Sequence, residues 1–546
     1  MNSQNNQKLF SPVKIGPLDL SHRVVMAPLT RSRSEQPGDL PGNLMREYYT
    51  QRASEGGLII SEASPVSIAG RGWFGAPGLY ADEQVAGWKK ITDAIHAKGG
   101  RMFSQLWNVG RSSHVSLTNG AAPLAPSVVP DYWLKATPSI STPGGWVKPS
   151  PHRELDISEI PRIVEDYRRA AERAKAAGFD GMELHAANGY LLDQFLQNGS
   201  NRRTDAYGGP VENRARFLLE ALEAVVSVWG GERVGVRIGP GGTWNSMSDS
   251  NPDAIFDYVA AQLNRFGLAY LHIIEPRVKG NIMIQGKEDQ APVATERLRQ
   301  IFKGKIITAG GFEPDTAEAV VQKGDADLVA FGRHFISNPD LPKRIKLGLP
   351  LNAYDRSTFY TFDCHGYADY PFYDGKNNGP VSDPFCSQLW DAPAAFDSRL
   401  SASLAQPPPG ITGPRPESKN EALVLEAFDT LFNQRDYVAA ERFWSPDYIQ
   451  HSAHIPPGRD GLFALVKSLP PTLKYEAGTI VAGKDFVIVH GRFSGHGRPV
   501  SWIAADILRI KDGVFVEHWD VLQDEATQEQ SKSGRPMFGD KFPAST

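Results

Sequence analysis

The chain has 546 residues and a formal net charge of −4 at pH 7, with 22% charged and 41% hydrophobic residues. This length exceeds one ordinary domain and is sufficient for two large cores. The balanced charge gives no basis for binding nucleic acid or an anionic membrane. Two cysteines are too few for a disulfide framework, and no CxxC metal pattern occurs, so no metal is expected.

The N-terminal segment MNSQNNQKLF is polar and lacks the apolar stretch of a signal peptide. No run of about 18 apolar residues occurs, so no transmembrane helix is predicted. We therefore expect a soluble, cytoplasmic protein.

The first predicted domain spans residues 1–372, and from Arg23 to about Leu347 it alternates short apolar runs, rich in β-branched residues, with longer segments of helical periodicity. FSPVKIGPLDLSH, ahead of the first run, is typical of a hairpin that closes the bottom of a barrel. Eight strand–helix units over this length predict an α/β fold, the (β/α)8 TIM barrel. The predicted strands are RVVMAPL, GGLIISEA, GRMFSQLW, FDGMELH, RVGVRIG, LAYLHIIE, KIITAGG and ADLVAFG.

A Pro- and Gly-rich linker is predicted over residues 373–418. After it, NEALVLEAFDTLFNQR and DYVAAERFW have the periodicity of amphipathic helices, and the later segments alternate as antiparallel strands with a hairpin turn at Lys511–Gly513. Helices followed by an antiparallel sheet predict a small α+β domain over residues 419–530, with a C-terminal tail at 531–546.

The most informative segment is GMELHAANGYLLDQF, residues 181–195. It begins as an apolar strand and then presents three polar groups, His185, Asn188 and Tyr190. His and Asn can both donate hydrogen bonds to one oxygen, and Tyr can supply a proton, as activation of a carbonyl compound requires. The alternative is a strand-to-helix turn with a solvated His and an Asn cap.

Polar residues also fall at the C-terminal ends of other predicted strands, namely Thr30, Gln105, Arg237 and Arg333. Active sites of (β/α)8 barrels lie at the carboxyl ends of the strands, so these side chains are expected to share one site. The turns Gly310–Gly311 and Gly332–Arg333 follow the last two strands, where such barrels commonly bind phosphate. Glycine permits close backbone approach there, and Arg supplies a fork for phosphate oxygens.

Several motifs in a fixed order, from about Leu9 to about Tyr373, resemble the old yellow enzyme family of flavin-dependent ene-reductases. The resemblance implies a TIM barrel that binds FMN, accepts hydride from NAD(P)H and reduces the activated C=C bond of an α,β-unsaturated carbonyl compound, or enone. The alternative within enzymes is a flavin-dependent isomerase without net reduction. The motifs are MAPLTRSR at Met26, IISEAS at Ile59, SQLWNVGR at Ser104, QNGSNRRTDAYGG at Gln197, VRIGP at Val236, TAGGF at Thr308, FGRHFISNPDL at Phe331 and DRSTFYTFDCHGYADYPFY at Asp355.

The same resemblance implies the FMN contacts. Those to the isoalloxazine ring come from Arg237 at the N1/O2 edge, Gln105 at the pyrimidine edge and Thr30 near O4, with backbone contacts from Pro28, Leu29 and Ala63. Those to the phosphate come from Gly310, Gly311, Gly332 and Arg333.

On the substrate side, the resemblance implies that His185 and Asn188 polarise the enone oxygen and that Tyr190 protonates the α-carbon. An aromatic wall around the substrate is expected from Trp107, Tyr360 and Trp244.

The segment from about Glu421 to Asp524 resembles the SnoaL-like, NTF2-like cone fold, at YIQH from Tyr448, ADILR from Ala505 and VEHWDV from Val516. Relatives of this fold include enzymes and non-catalytic modules, so the fold does not determine the function.

Strand alternation places Asp506 on one apolar face with Trp502, Ala504, Leu508 and Ile510. Desolvation raises the pKa of such a carboxyl group and suits it to acid/base catalysis, with assistance from His518 on the next strand. One alternative is a structural Asp paired with a cation. The other is a binding or dimerisation module, which would make the protein a homo-oligomer; an exposed apolar sheet face would favour the module, and a closed pocket would favour catalysis.

Overall fold

The chain divides into two compact units, Met1–Phe396 and Asp397–Thr546. Residues 376–418, which make up most of the predicted linker, lie outside the described residues, and so does most of the predicted C-terminal tail. The domain boundaries therefore remain predictions. The computed structural model describes residues 7–137, 139–280, 282–284, 293–375, 419–452, 455–483, 485–497, 500–531, 535–539 and 542.

The first unit is built on short strands. They are β1 (Val13–Ile15), β2 (Leu18–Leu20), β3 (Val24–Met26), β4 (Leu58–Pro65), β5 (Arg101–Trp107), β6 (Leu124–Ala125), β7 (Ile140–Thr142), β8 (Gly145–Val147), β9 (Arg153–Glu154), β10 (Gly181–Ala186), β11 (Val234–Ile238), β12 (Tyr270–Ile274), β13 (Val278–Lys279), β14 (Ile282–Met283), β15 (Ile306–Ala309) and β16 (Leu328–Phe331).

Eight of these strands form a closed barrel in the order β3–β4–β5–β10–β11–β12–β15–β16, with β16 paired to β3. All eight pairings are parallel. Successive side chains alternate in direction, so Val25 joins the interior cluster whereas Val24 and Met26 pack outside with the helices. The eight predicted strands and the TIM barrel are therefore confirmed.

The helices of this unit surround the barrel. They are α1 (Asn43–Arg52), α2 (Asp82–Ala97), α3 (Asp131–Leu134), α4 (Ile160–Ala176), α5 (Leu191–Leu196), α6 (Val211–Trp229), α7 (Pro252–Leu263), α8 (Val293–Ile301), α9 (Pro314–Lys323), α10 (Arg333–Ser337) and α11 (Leu341–Leu347). In α4, Ile163, Tyr167, Ala170 and Ala174 recur every three or four residues and are buried, because this spacing places them on one helix face.

The antiparallel hairpin β1–β2 packs against the interior side chains of the barrel. Val13, Ile15, Leu18 and Leu20 are buried in this contact, whereas Lys14 and Asp19 are exposed. The predicted hairpin plug is therefore confirmed, which leaves the carboxyl ends of the strands as the accessible end of the barrel.

The second unit contains five strands and three α-helices within the described residues. They are α12 (Lys419–Phe428), α13 (Tyr437–Ala440), β17 (Trp444–Gln450), α14 (Gly458–Ser468), β18 (Lys474–Ala482), β19 (Phe486–Ser494), β20 (Trp502–Lys511) and β21 (Val514–Asp524). The sheet order is β17–β21–β20–β19–β18. The predicted turn is present, with positive φ angles of 51° at Asp512 and 78° at Gly513.

The predicted α+β class is confirmed, but the predicted element order was wrong in two details. β17, which was not among the predicted strands, pairs with β21 in parallel, and α14 lies between two strands. Helix α14 was not predicted because it contains two glycines and follows two prolines, which are poor helix signals. It forms because Leu462, Phe463 and Val466 are buried against the sheet core.

Within the described residues, no helix combines the length and the apolar character needed to cross a lipid bilayer.

Candidate active site

A cavity of about 180 Å³ lies at the carboxyl end of the barrel strands. It brings together fifteen of the residues singled out in the sequence, which are Pro28, Leu29, Thr30, Gln105, Trp107, His185, Asn188, Tyr190, Arg237, Trp244, Gly310, Gly311, Gly332, Arg333 and Tyr360. Ala63 does not line it; this residue is buried in a cluster with Trp107 and Tyr190.

The end of β10 positions the three polar groups of the most informative segment. His185 is the fifth residue of this strand, and Asn188 and Gly189 turn the chain with φ angles of 58° and 70°. The Asp193 carboxylate accepts the Gly189 N–H at 2.8 Å and so holds this turn. The turn directs Tyr190 back towards His185, with their ring centroids 5.1 Å apart.

Burial sets the protonation of these groups. It lowers the pKa of His185 well below its ordinary value, and the nearby Arg237 and His272 lower it further. The imidazole is therefore neutral, and its Nδ1 has no hydrogen-bond partner among the described residues. Burial raises the pKa of Tyr190, against an opposing contribution from the Trp73 side chain, so the phenol retains its proton.

A buried polar network lies beside these groups. Glu183, two residues before His185 on β10, accepts hydrogen bonds from Gln105 Nε2 at 2.6 Å and from His272 Nδ1 at 2.8 Å. The Arg237 guanidinium is buried, and its Nε has no partner among the described residues. Glu183 and His272 were not among the predicted site residues, although Glu183 is a charged residue that alternates with His185 on an apolar strand.

The predicted phosphate region has the backbone that it needs. Gly310 and Gly311 have φ angles of 114° and 72°, which favour glycine. Arg333 donates to the Tyr354 hydroxyl at 3.3 Å, and its guanidinium lies 5.6 Å from the centre of that ring.

The predicted aromatic residues surround the cavity. Trp107 packs edge-on against Tyr190 at 4.7 Å between centroids. Tyr360 lies 5.0 Å from Trp73, a cavity residue that sequence analysis did not identify because it belongs to a loop without a motif. Trp244 also lines the cavity, next to Gly280.

The donor set fits FMN. A buried cation and a buried imidazole with unpaired nitrogens lie on one side of the cavity, and glycines with positive φ lie with Arg333 at the ends of the last two strands. The cation suits the edge of the isoalloxazine that gains charge on reduction, and the glycine turns suit a phosphate.

The second unit contains its own cavity, of about 120 Å³, which is comparable with the engineered cavity of about 150 Å³ that accommodates benzene. Its described lining is largely apolar and includes Tyr448, Asp506, His518 and Asp520, with no Lys or Arg among these described residues. Both sequence-predicted residues are therefore present, on the adjacent strands β20 and β21.

Asp506 and His518 form a buried pair, with Asp506 Oδ1 3.0 Å from His518 Nε2. Gln450 Oε1 accepts the Ser452 backbone N–H at 3.0 Å, which fixes the orientation of the amide. The same oxygen lies 2.9 Å from His518 Nδ1, so Nδ1 carries a proton. Nε2 and Oδ1 are then joined by one hydrogen bond. Burial raises the pKa of Asp506, although the hydrogen bond from His518 opposes this, and Oδ2 has no partner among the described residues.

Comparison with known proteins agrees with the two units. Residues 8–352 match the model of the NADH:flavin oxidoreductase / NADH oxidase family, and residues 424–518 match a SnoaL-like domain. The fold and the cavity therefore define a flavin-dependent oxidoreductase with a TIM barrel. The chain belongs to the NADH:flavin oxidoreductase / NADH oxidase family, with FMN as its cofactor and a nicotinamide as its reductant.

Each of three similar proteins covers about two thirds of this chain. A 12-oxophytodienoate reductase 1 from Oryza sativa subsp. japonica is 46% identical over 367 residues, which cover 67% of this chain and 93% of the relative. The flavin oxidoreductase hxnT from Emericella nidulans is 42% identical over 389 residues, which cover 67% of this chain and 98% of the relative. A solved structure of morphinone reductase superposes with a TM-score of 0.63 at 47% identity and covers 69% of this chain and all of that one.

Proposed function

We propose that the barrel reduces the activated C=C bond of an enone at the expense of NADH or NADPH. One observation carries this proposal: a neutral His185, Asn188 and a protonated Tyr190 meet in one cavity with the buried cation Arg237. Relatives named as reductases of 12-oxophytodienoate and morphinone support the reaction type.

Each side chain has a distinct part in this reaction. FMN, when bound, supplies the hydride chemistry between the nicotinamide and the substrate. His185 and Asn188 donate hydrogen bonds to the enone oxygen and withdraw electron density from the β-carbon. Tyr190, which remains protonated because of its burial, delivers the proton to the α-carbon.

The stoichiometry of the reaction tests this proposal against isomerisation. With a simple cyclic enone under anaerobic conditions, one nicotinamide should be oxidised for each saturated ketone that forms. Deuterium at the transferable position of the nicotinamide should appear at the β-carbon. A rearranged enone formed without consumption of nicotinamide would identify an isomerase instead.

For the second unit we propose acid/base catalysis on a neutral carbonyl compound, by Asp506 with the assistance of His518. The apolar cavity without a described cation fits an uncharged ligand, and the unpaired Oδ2 of Asp506 supports a role in proton transfer. The ketone that leaves the barrel, or the enone before reduction, belongs to this chemical class.

Exchange of α-hydrogens tests this second activity. Full-length protein in D2O should introduce deuterium at the α-carbon of apolar cyclic ketones, as measured by mass spectrometry. Asp506→Asn should abolish this exchange, whereas Asp524→Asn, at the exposed end of β21, should not affect it. Equal rates in both variants would reject catalysis by Asp506.

The outer face of the same sheet favours a second candidate function, a binding or dimerisation module. Val481, Ile488 and Val521 lie on this face with 58%, 46% and 67% of their surface exposed. If the module is the only function, Asp506→Asn will leave the chemistry unchanged, and Val521→Glu will alter the oligomer size in analytical ultracentrifugation.

A further inference from the structure

Glu183 is a fully buried carboxylate inside the barrel. It lies on β10 opposite Gln105 of β5 in the strand register. Alternation along β10 places it on the same side as His185, so it faces the barrel interior below the cavity. Its two oxygens have different partners, Gln105 on one side and His272 on the other.

The contact with Glu183 determines which end of the Gln105 amide is free. A carboxylate accepts hydrogen bonds but cannot donate them, so Gln105 must turn its NH2 group towards Glu183, at 2.6 Å. The amide oxygen of Gln105 is then the group left for the cavity that Gln105 lines. An acceptor at this position suits the N3–H group on the pyrimidine edge of a flavin.

Glu183 is ionised at neutral pH. Burial alone would raise its pKa, but the hydrogen bond with His272, the charge of Arg237 and the hydrogen bond from Gln105 bring the pKa below its ordinary value. Burial lowers the pKa of His272, against the effect of Glu183, so the negative charge is not cancelled by an imidazolium.

The charge of Glu183 acts on Arg237. Burial lowers the pKa of Arg237, and Glu183 is the first of the charges that oppose this effect. A buried guanidinium without a counter-charge is costly and would present a full positive charge to its surroundings. Glu183 therefore moderates the field at the edge of the cavity that Arg237 lines.

We propose that Glu183 is a positioning residue of the flavin site, which directs the Gln105 oxygen to the pyrimidine edge and limits the positive charge that Arg237 presents there. A moderated charge keeps the reduced cofactor less stable, and hence a stronger hydride donor to the substrate. This inference rests on the FMN assignment of the barrel and does not depend on the identity of the substrate.

Glu183→Gln in the full-length holoenzyme tests the proposal, because it removes the charge and keeps the shape. The midpoint potential of bound FMN should become more positive, and FMN should dissociate about tenfold more readily. Reduction by NADH should be maintained, whereas reoxidation by an enone should slow. Glu275→Gln is the matched control, since Glu275 is equally buried in the barrel, bonds to Thr295 and does not line the cavity.

Glu183→Asp separates the effect on the Gln105 amide from the effect of the negative charge on Arg237. It also tests the proposal if Glu183→Gln does not fold. It keeps the charge but shortens the reach to Gln105, so the potential should stay near that of the wild type while FMN affinity falls. Wild-type potential in Glu183→Gln, or a potential in Glu183→Asp as positive as in a charge-free variant, would overturn the inference. A wild-type protein that does not bind FMN would instead refute the proposed function.

Discussion

Arg237 and Arg333 contribute the positive charge at opposite ends of the proposed flavin site. Arg237 is buried, and its Nε has no partner among the described residues. Arg333 follows the last barrel strand, and its guanidinium donates a hydrogen bond to the Tyr354 hydroxyl. We predict that Arg237→Ala and Arg333→Ala each weaken FMN binding about 10- to 100-fold, because each removes a charge-assisted hydrogen bond worth about 1.5–3 kcal/mol. Flavin retained after extensive dilution, measured by absorbance, checks this. Full retention by both variants would contradict the site.

Asp193, which holds the turn that carries Asn188 and Tyr190, should make the stability of the protein depend on pH. Burial raises its pKa to about 7 from an ordinary value of 3.8, so the folded state holds the proton more tightly than the unfolded state. The free energy of unfolding should therefore fall as the pH rises from about 4 to about 7, and then level off.

Asp193→Asn does not titrate and can still accept the Gly189 N–H. We predict that the free energy of unfolding of this variant, minus that of the wild type, increases by at most about 4 kcal/mol as the pH rises from about 4 to about 7. Thermal unfolding at pH 5 and pH 8 measures this difference. A difference in Tm that is the same at both pH values would show that Asp193 is ionised without cost.

The sequence identifies functional side chains near the ends of strands better than those within strands. His185 and Arg237 are identifiable because polar groups that follow apolar runs meet at one end of a barrel. Glu183 and His272 lie inside strands, and only the three-dimensional register shows that they are hydrogen-bonded to each other. Trp73 enters the cavity from a loop, whose path no local pattern predicts.

Helix α1 contributes a buried cation, Arg52, to the contacts that attach it to the rest of the barrel unit. Arg52, at the end of this helix, donates to the carbonyls of Phe335, Ile336 and Tyr367 at 2.8, 2.7 and 3.0 Å. It also lies 3.7 Å from the centre of the Tyr48 ring. One guanidinium therefore joins three segments that are distant in sequence.

We predict that Arg52→Leu lowers the free energy of unfolding by about 3 kcal/mol or more, because it leaves buried carbonyls without donors. Arg46→Leu is the control, since Arg46 is exposed on the same helix and should change stability by no more than about 0.5 kcal/mol. Chemical denaturation of both variants measures the effect. Equal midpoints would show that the carbonyls find other partners.

The elements of the barrel are predictable because each strand has apolar residues on both faces and each long helix has one apolar stripe. The elements of the second unit are less predictable from the sequence. β17 reads WSPDYIQ, with a proline and exposed positions, and its parallel pairing with β21 is not encoded locally. Tertiary contacts with the apolar core, not propensity, determine this strand and α14.

Each of the two units contains its own hydrophobic core among the described residues, which implies independent folding. We predict that a chain truncated near Pro414 yields a folded barrel that binds FMN and retains both half-reactions with a simple enone. Flavin absorbance and the Tm of the truncated and full-length proteins check this. A truncated protein that aggregates or loses FMN would show that the second unit is needed for the barrel to fold.

We propose Tyr190 as the proton donor to a substrate held by His185 and Asn188 beside FMN. Anaerobic stopped-flow absorbance of bound flavin in Tyr190→Phe tests it most directly, because the two half-reactions are observed separately. Reduction by the nicotinamide should proceed at the wild-type rate, since it requires no proton donor. Reoxidation by an enone should slow about 100-fold or more, the usual effect of losing a general acid. A variant that is slow mainly in the nicotinamide step would contradict the role of Tyr190.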